Sequence, residues 1–239
     1  MITVTLIPVL NDNYAYLLQG DNGEVGVVDP GEAGPVIDYL KSKDLKPDII
    51  FVTHHHGDHI GGIPEMQEWH RCKVAGPSKE MGRIDSMDIL LDEFSAETFG
   101  DETYDVLETP GHTKGHICIH FPESKLLFVG DTLFVMGCGR LFEGTAEQMW
   151  ESFDKITALP DDTKIYCGHE YTLSNAEFCL KVEPENEKIK ARYDEVKGLR
   201  AQHKPTVPTS LREEKDTNVF LRAKNAEQFG EFRLIKDRG

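Results

Sequence analysis

Between Thr53 and Gly62 the chain reads Thr-His-His-His-Gly-Asp-His-Ile-Gly-Gly, directly after the apolar run Ile49–Val52. Four groups able to bind a metal (His54, His56, Asp58, His59) fall within six residues, so the backbone has to leave a buried strand and turn at once. In extended backbone His54 and His56 project to one side and His55 to the other. A turn at Gly57 swings Asp58 and His59 in from a second direction. Imidazole with carboxylate suits zinc, iron or manganese, whereas a thiolate-rich structural zinc site would need cysteines that are missing here.

Further ligand types recur at the ends of later strand-like runs: His112 in Thr-Pro-Gly-His-Thr, Asp131 in Val-Gly-Asp-Thr and His169 in Tyr-Cys-Gly-His-Glu. Each sits beside a glycine that permits a tight turn, and together with the first run they make seven candidate ligands. Donors of these types suit a bound metal ion, which lowers the pKa of its water from ~15.7 toward neutrality and so supplies hydroxide as a nucleophile.

The rest of the chain is that of an ordinary globular protein. Hydrophobic residues make up 39% and charged residues 28% of its 239 residues. Strand-like runs at Ile2–Ile7, Tyr14–Leu18, Val25–Val28, Ile49–Val52, Tyr104–Leu107, His116–Phe121 and Leu126–Val129 alternate with helical patterns at Pro35–Lys43, Pro64–His70 and Ala146–Leu159. That mixture predicts an α/β protein with helices covering its sheets. Beyond Tyr171 strand signals fade; Asn175–Val182 and Asn186–Gln202 read as helices, Lys204–Pro208 breaks them, and Ala226–Ile235 reads as a last short helix. A boundary near residue 170 follows, with a sheet-rich domain over 1–169 and a small helical one over 170–239.

A net charge of −16 argues against nucleic acid as a partner. Five cysteines without a Cys-x-x-Cys pair fit reduced thiols. No apolar run approaches the ~18 residues of a membrane span, and the N-terminus has no basic leader. The expectation is a soluble cytoplasmic protein with no membrane partner, monomeric by default.

Thr-His-His-His-Gly-Asp-His, Thr-Pro-Gly-His-Thr-Lys-Gly-His, Gly-Asp-Thr-Leu-Phe and Gly-His-Glu-Tyr, in this order and spacing, resemble the metallo-β-lactamase superfamily. The resemblance implies an αββα sandwich carrying, here, a small C-terminal α-helical domain. It implies a first metal on His54, His56 and His112, a second on Asp58, His59 and His169, and Asp131 bridging the two, with Asp58 and Asp131 the catalytic carboxylates. Zinc is the expected ion, with iron or manganese as alternatives.

Three further segments are similar to the hydroxyacylglutathione hydrolase branch in particular. The loop Gly137–Thr145 would line the thiol-peptide site and supply Arg140; Tyr171 would hydrogen-bond the glutathione moiety; and Arg233 and Lys236, in the closing motif, would hold the glycyl carboxylate. Many relatives have Tyr where this chain has Phe142, which removes one hydrogen bond of ~0.5–1.5 kcal/mol. A thioester suits the site, since a thiol of pKa ~8.5 leaves as thiolate without obligatory protonation. The reaction so implied is hydrolysis of a 2-hydroxyacyl glutathione thioester in methylglyoxal detoxification. The competing readings are a mononuclear-iron glutathione persulfide oxygenase and a non-catalytic metal-binding protein on the same scaffold. Asp29 is a candidate orienter of a ligand imidazole, His55 and His116 read as structural, Cys138 as a small buried residue, and His70, His120 and His203 have no ligand-like context.

Overall fold

A computed structural model of the chain describes residues 1–85 and 87–239. It divides into two compact units, Met1–Glu108 with Gly115–Gly130, and Thr109–Lys114 with Asp131–Gly239.

The first unit opens with β1 (Ile2–Val9) and β2 (Asn13–Gly20), an antiparallel hairpin continued by β3 (Val25–Val28). Helix α1 (Ala33–Ser42) crosses to β4 (Ile49–Phe51), which runs parallel to β3. The single turn α2 (Gly57–Ile60) and α3 (Ile63–Trp69) lead to β5 (Lys73–Pro77) and then β6 (Ile89–Leu91), again parallel. Strands β3 and β4 contain only apolar residues and glycine because both their faces are covered. One face of the sheet meets Val36, Ile37 and Leu40 of α1 and Ile63 and Met66 of α3 over a core that includes Leu17, Val27, Ile50 and Val74.

The other face meets an antiparallel meander: β7 (Glu97–Phe99), β8 (Glu102–Glu108), β9 (Ile117–Phe121) and β10 (Leu126–Gly130). Phe51 lies edge-on to Phe99, Tyr104 and Phe121, with centroids 5.3 to 6.2 Å apart, so one strand's aromatic ring is enclosed by three strands of the facing sheet.

The second unit contains the small hairpin β11 (Leu133–Phe134) and β12 (Gly137–Cys138), then α4 (Ala146–Thr157), started by a reciprocal Thr145–Gln148 capping box. β13 (Lys164–Cys167) pairs antiparallel with β14 (Thr209–Ser210). Between them run α5 (Thr172–Val182) and α6 (Glu187–Ala201); α7 (Leu211–Thr217) and α8 (Ala226–Asp237) follow. Phe178 stacks on Phe220 and Phe229 meets Phe153 edge-on, joining α5, the segment after α7, α8 and α4 in one core. Helix α6 buries only Ile189, Arg192 and Val196, which accounts for its weak hydrophobic periodicity in the sequence.

Candidate metal centre

In the first unit the apolar strand β4 ends at Phe51 and the histidine run follows; His56 is extended, with φ −62° and ψ 142°, and caps the single turn that carries Asp58 and His59. The loop that follows β3 lies against this turn. A Cβ on Gly31 would come within 1.9 Å of the Asp58 carbonyl oxygen, so glycine is needed there. His54 Nε2 and His56 Nδ1 are 3.0 Å apart, and the rings of His54 and His59 are 4.2 Å apart. His59 Nε2 faces Asp58 Oδ2 at 3.7 Å. Asn13 donates from Nδ2 to that same Oδ2, at 2.9 Å, and to the Asp58 carbonyl.

Tautomers follow from the partners on the far side of each ring. The Asp29 carboxylate accepts the Thr53 N–H at 2.8 Å and the Thr53 hydroxyl at 2.7 Å, and also lies 3.0 Å from His59 Nδ1. A carboxylate can only accept, so His59 carries its proton on Nδ1. The Thr53 hydroxyl, having donated to Asp29, accepts from His54 Nδ1 at 3.0 Å. In the neutral rings both Nε2 atoms are therefore bare lone pairs. Asp29 thus lies against the His59 imidazole, and the His55 ring turns to Glu80, its Nδ1 2.6 Å from Oε2. His116, read from the sequence as structural, stacks on His54 with centroids 4.8 Å apart and planes 28° from parallel, which fixes that ring's tilt.

In the second unit His112, Asp131 and His169 come together. His112 Nδ1 donates to the Arg140 carbonyl at 2.9 Å, which leaves its Nε2 bare; that nitrogen lies 3.3 Å from Asp131 Oδ2, and so does His169 Nε2. Imidazole nitrogens gathered about a carboxylate are a donor set that suits a cation, and oxygen-held far nitrogens are the usual outer support of ligand imidazoles. This donor chemistry fits divalent metals: the His/Asp clusters of the described residues are compatible with a dinuclear site.

The sequence candidates for substrate contact also lie in the second unit. Tyr171 is partly exposed and stacks on His169, while Phe134 of the small hairpin meets both rings edge-on. The Arg140 side chain is 65% exposed and lies 3.5 Å from Asp237. Arg233 is buried: one Nη donates to the Cys138 carbonyl at 2.9 Å, the other to Asp237 at 3.0 Å, and its guanidinium sits over the Phe220 ring. Lys236 donates from Nζ to the Ser174 carbonyl at 2.8 Å beside the Phe178 ring, and burial, followed by the charge of Arg233, pulls its ammonium down to about 8. Phe142 is exposed, its ring 5.2 Å from that of His112. Cys138 is buried, and burial pushes its thiol up to about 11, consistent with a packing role. His120 pairs with Asp105 on the meander and belongs to neither donor set.

The sequence readings did not single out Glu214. Its carboxylate is buried in α7 and accepts from the Met136 N–H at 2.8 Å, Thr209 Oγ1 at 2.9 Å and Asn218 Nδ2 at 3.0 Å. Asn218 donates in turn to the carbonyls of Phe134 and Gly137. The two side chains thus hold the hairpin that presents Phe134 to His169.

Residues 10–169 match the family model described as the metallo-beta-lactamase superfamily, and residues 170–238 the one described as the hydroxyacylglutathione hydrolase C-terminus. A hydroxyacylglutathione hydrolase of Rhodopseudomonas palustris is 45% identical across 99% of this chain and 98% of its own. One from Vibrio parahaemolyticus is 49% identical across 94% of this chain and 88% of its own. The crystal structure of ETHE1 from Myxococcus xanthus superposes with a TM-score of 0.72 over 98% of this chain and 90% of that one; at 23% identity the likeness is one of fold.

Proposed function

The chain belongs to the metallo-β-lactamase superfamily and within it to the hydroxyacylglutathione hydrolases, and from that premise we propose that it hydrolyses S-(2-hydroxyacyl)glutathiones, typically S-D-lactoylglutathione, to glutathione and a 2-hydroxy acid such as D-lactate. The fold is that of the superfamily, with a helical C-terminal region. The observation that carries the reading is the triplet of oxygen-held imidazoles: Asp29 holds His59, Thr53 holds His54 and the Arg140 carbonyl holds His112, so each neutral ring carries its proton on Nδ1 and keeps Nε2 unprotonated.

His54, His56 and His112 would hold one divalent ion and Asp58, His59 and His169 a second, with Asp131 serving both, and zinc would be the native metal. When bound, such a pair supplies an acidified water and polarises the thioester carbonyl. The carboxylates of Asp58 and Asp131 orient the attacking water, and Asn13 steadies Asp58. The thiol of glutathione leaves as thiolate, so no protein acid is required. Arg140 and Lys236 meet the carboxylates of the peptide, Tyr171 hydrogen-bonds it, and Arg233 supports them from its buried position between the Cys138 carbonyl and Asp237. Residues 1–169 act as the catalytic domain and 170–239 as the substrate-binding domain of a cytoplasmic monomer that serves methylglyoxal detoxification. A mononuclear-iron oxygenase, which expects an incomplete second set, is not favoured, since Asp58, His59 and His169 are all present.

The test is to incubate the purified protein with S-D-lactoylglutathione, follow loss of the thioester together with free thiol, and measure bound metal on the same sample. Stoichiometric thiol release by protein carrying two metals per chain supports the reading. A metal-loaded protein that releases no thiol overturns it.

A further inference from the structure

We propose that Glu80 is a positioning residue for the metal centre: through His55 it holds the backbone from which His54 and His56 are presented. The proposal rests on the metal reading above and adds to it a residue outside the seven ligands. Glu80 ends a 3-10 turn (Ser78–Glu80) directly after β5. Its carboxylate is 0% exposed, and Oε2 lies 2.6 Å from His55 Nδ1, with Arg83 Nη1 more distant at 3.7 Å.

Taking a carboxylate fully out of water is costly, and a fold tolerates it only beside a partner that compensates. The nearer partner here, ahead of Arg83, is the His55 imidazole. The backbone also makes room for the acid: a Cβ on Gly115 would meet Glu80 Cγ, Cδ and Oε1 within 2.9 Å. His54 and His56 flank His55 directly, so rotation of the peptide planes on either side of His55 re-aims both neighbouring imidazoles together. Anchoring His55 to a rigid, buried group therefore fixes two ligands with one contact. Such a residue acts on metal affinity, where supporting groups typically contribute about 10–100-fold.

The experiment is zinc competition against a chromophoric chelator on the full chain, comparing wild type with Glu80→Gln, Glu80→Asp and Glu80→Leu, with the thermal midpoint of each metal-free protein measured alongside. The expected result is a fall in zinc affinity of about 10-fold or more for Glu80→Leu, with Glu80→Gln, which keeps the length and an acceptor, recovering most of it. Should Glu80→Leu fail to fold, Glu80→Asp carries the same comparison, since its carboxylate falls one methylene short of His55. Zinc affinity unchanged in every folded variant, with only the thermal midpoint lowered, overturns the proposal and leaves Glu80 a packing residue. If wild type itself binds no zinc, the metal reading fails and the proposal with it, an outcome distinct from loss confined to the variants.

Discussion

His169 and Tyr171 lie face to face, ring centroids 4.6 Å apart and planes within 8° of parallel, in the turn between β13 and α5. The stack gives Tyr171 two separable roles. Its hydroxyl is the group proposed to serve the substrate, and its ring packs flat on an imidazole proposed to bind metal. Tyr171→Phe keeps the ring, so KM is expected to rise by no more than about 10-fold, the worth of one neutral hydrogen bond, with metal content unchanged. Tyr171→Ala is expected to lower zinc affinity as well. Equal metal content and equal KM in the two variants would remove the ring's role.

Asp29 stands at the end of β3 with φ 49°, a left-handed conformation that aspartate tolerates, and accepts from Thr53 and His59 together. In Asp29→Asn an amide NH2 meets two groups that are themselves donors. The imidazole is then driven to the tautomer protonated at Nε2, which cannot bind a cation. Metal analysis of Asp29→Asn after gel filtration is expected to show loss of the ion assigned to Asp58, His59 and His169, with its affinity down about 10–100-fold and the other ion retained. Wild-type metal content after the same treatment would mean that Asp29 does not set the tautomer.

How much of this was legible in the sequence follows from how local each signal is. The central strands were, because β3 and β4 are unbroken apolar runs between turns, and the histidine cluster was, because its residues are contiguous. Strands β6 and β7 were not: three residues each hold too little periodicity to register. Helix α7 did carry a signal, the Ser210-x-x-Glu213 capping box, which the broken pattern around Lys204–Pro208 obscured. Asp29 was legible as a strand-end carboxylate, whereas Glu80 lies 25 residues from His55 and Glu214 78 residues from Met136. Pairings at that separation are made by tertiary folding and leave no spacing to read.

Burial raises the Glu214 carboxyl to about 7, against the opposing pull of its three hydrogen bonds and of Arg192. A folded-state value above the unfolded one means that the native protein binds the extra proton. The associated stability is present below about pH 4.5 and is lost as pH rises through about 7. Glu214→Gln titrates in neither state, and its amide can still accept from Met136 and donate to the Thr209 hydroxyl. Urea midpoints measured at pH 5 and pH 8 are expected to fall less for Glu214→Gln than for wild type over that interval. Glu214→Ala, which strands the buried Met136 N–H, is expected to lose roughly 3 kcal/mol at either pH. Parallel pH profiles for wild type and Glu214→Gln would show that the carboxyl does not titrate in that window.

Lys236 offers a kinetic counterpart. Its ammonium is pulled down to about 8, first by burial and then by the charge of Arg233, so the cation proposed to meet the substrate's glycyl carboxylate is lost as pH rises through that value. The pH dependence of kcat/KM reports groups in the free enzyme, so the wild-type profile is expected to bend downward above about pH 8 with kcat held nearly level. A guanidinium does not lose its proton in this range, and Lys236→Arg is expected to abolish the bend while raising KM modestly, because a planar fork cannot reproduce the single donor to the Ser174 carbonyl. Lys236→Ala is expected to raise KM at every pH and to leave kcat and metal content intact. A bend that persists unchanged in Lys236→Arg would assign the titration to another group, and a fall in kcat for Lys236→Ala equal to its fall in kcat/KM would move Lys236 from binding the peptide to stabilising the transition state.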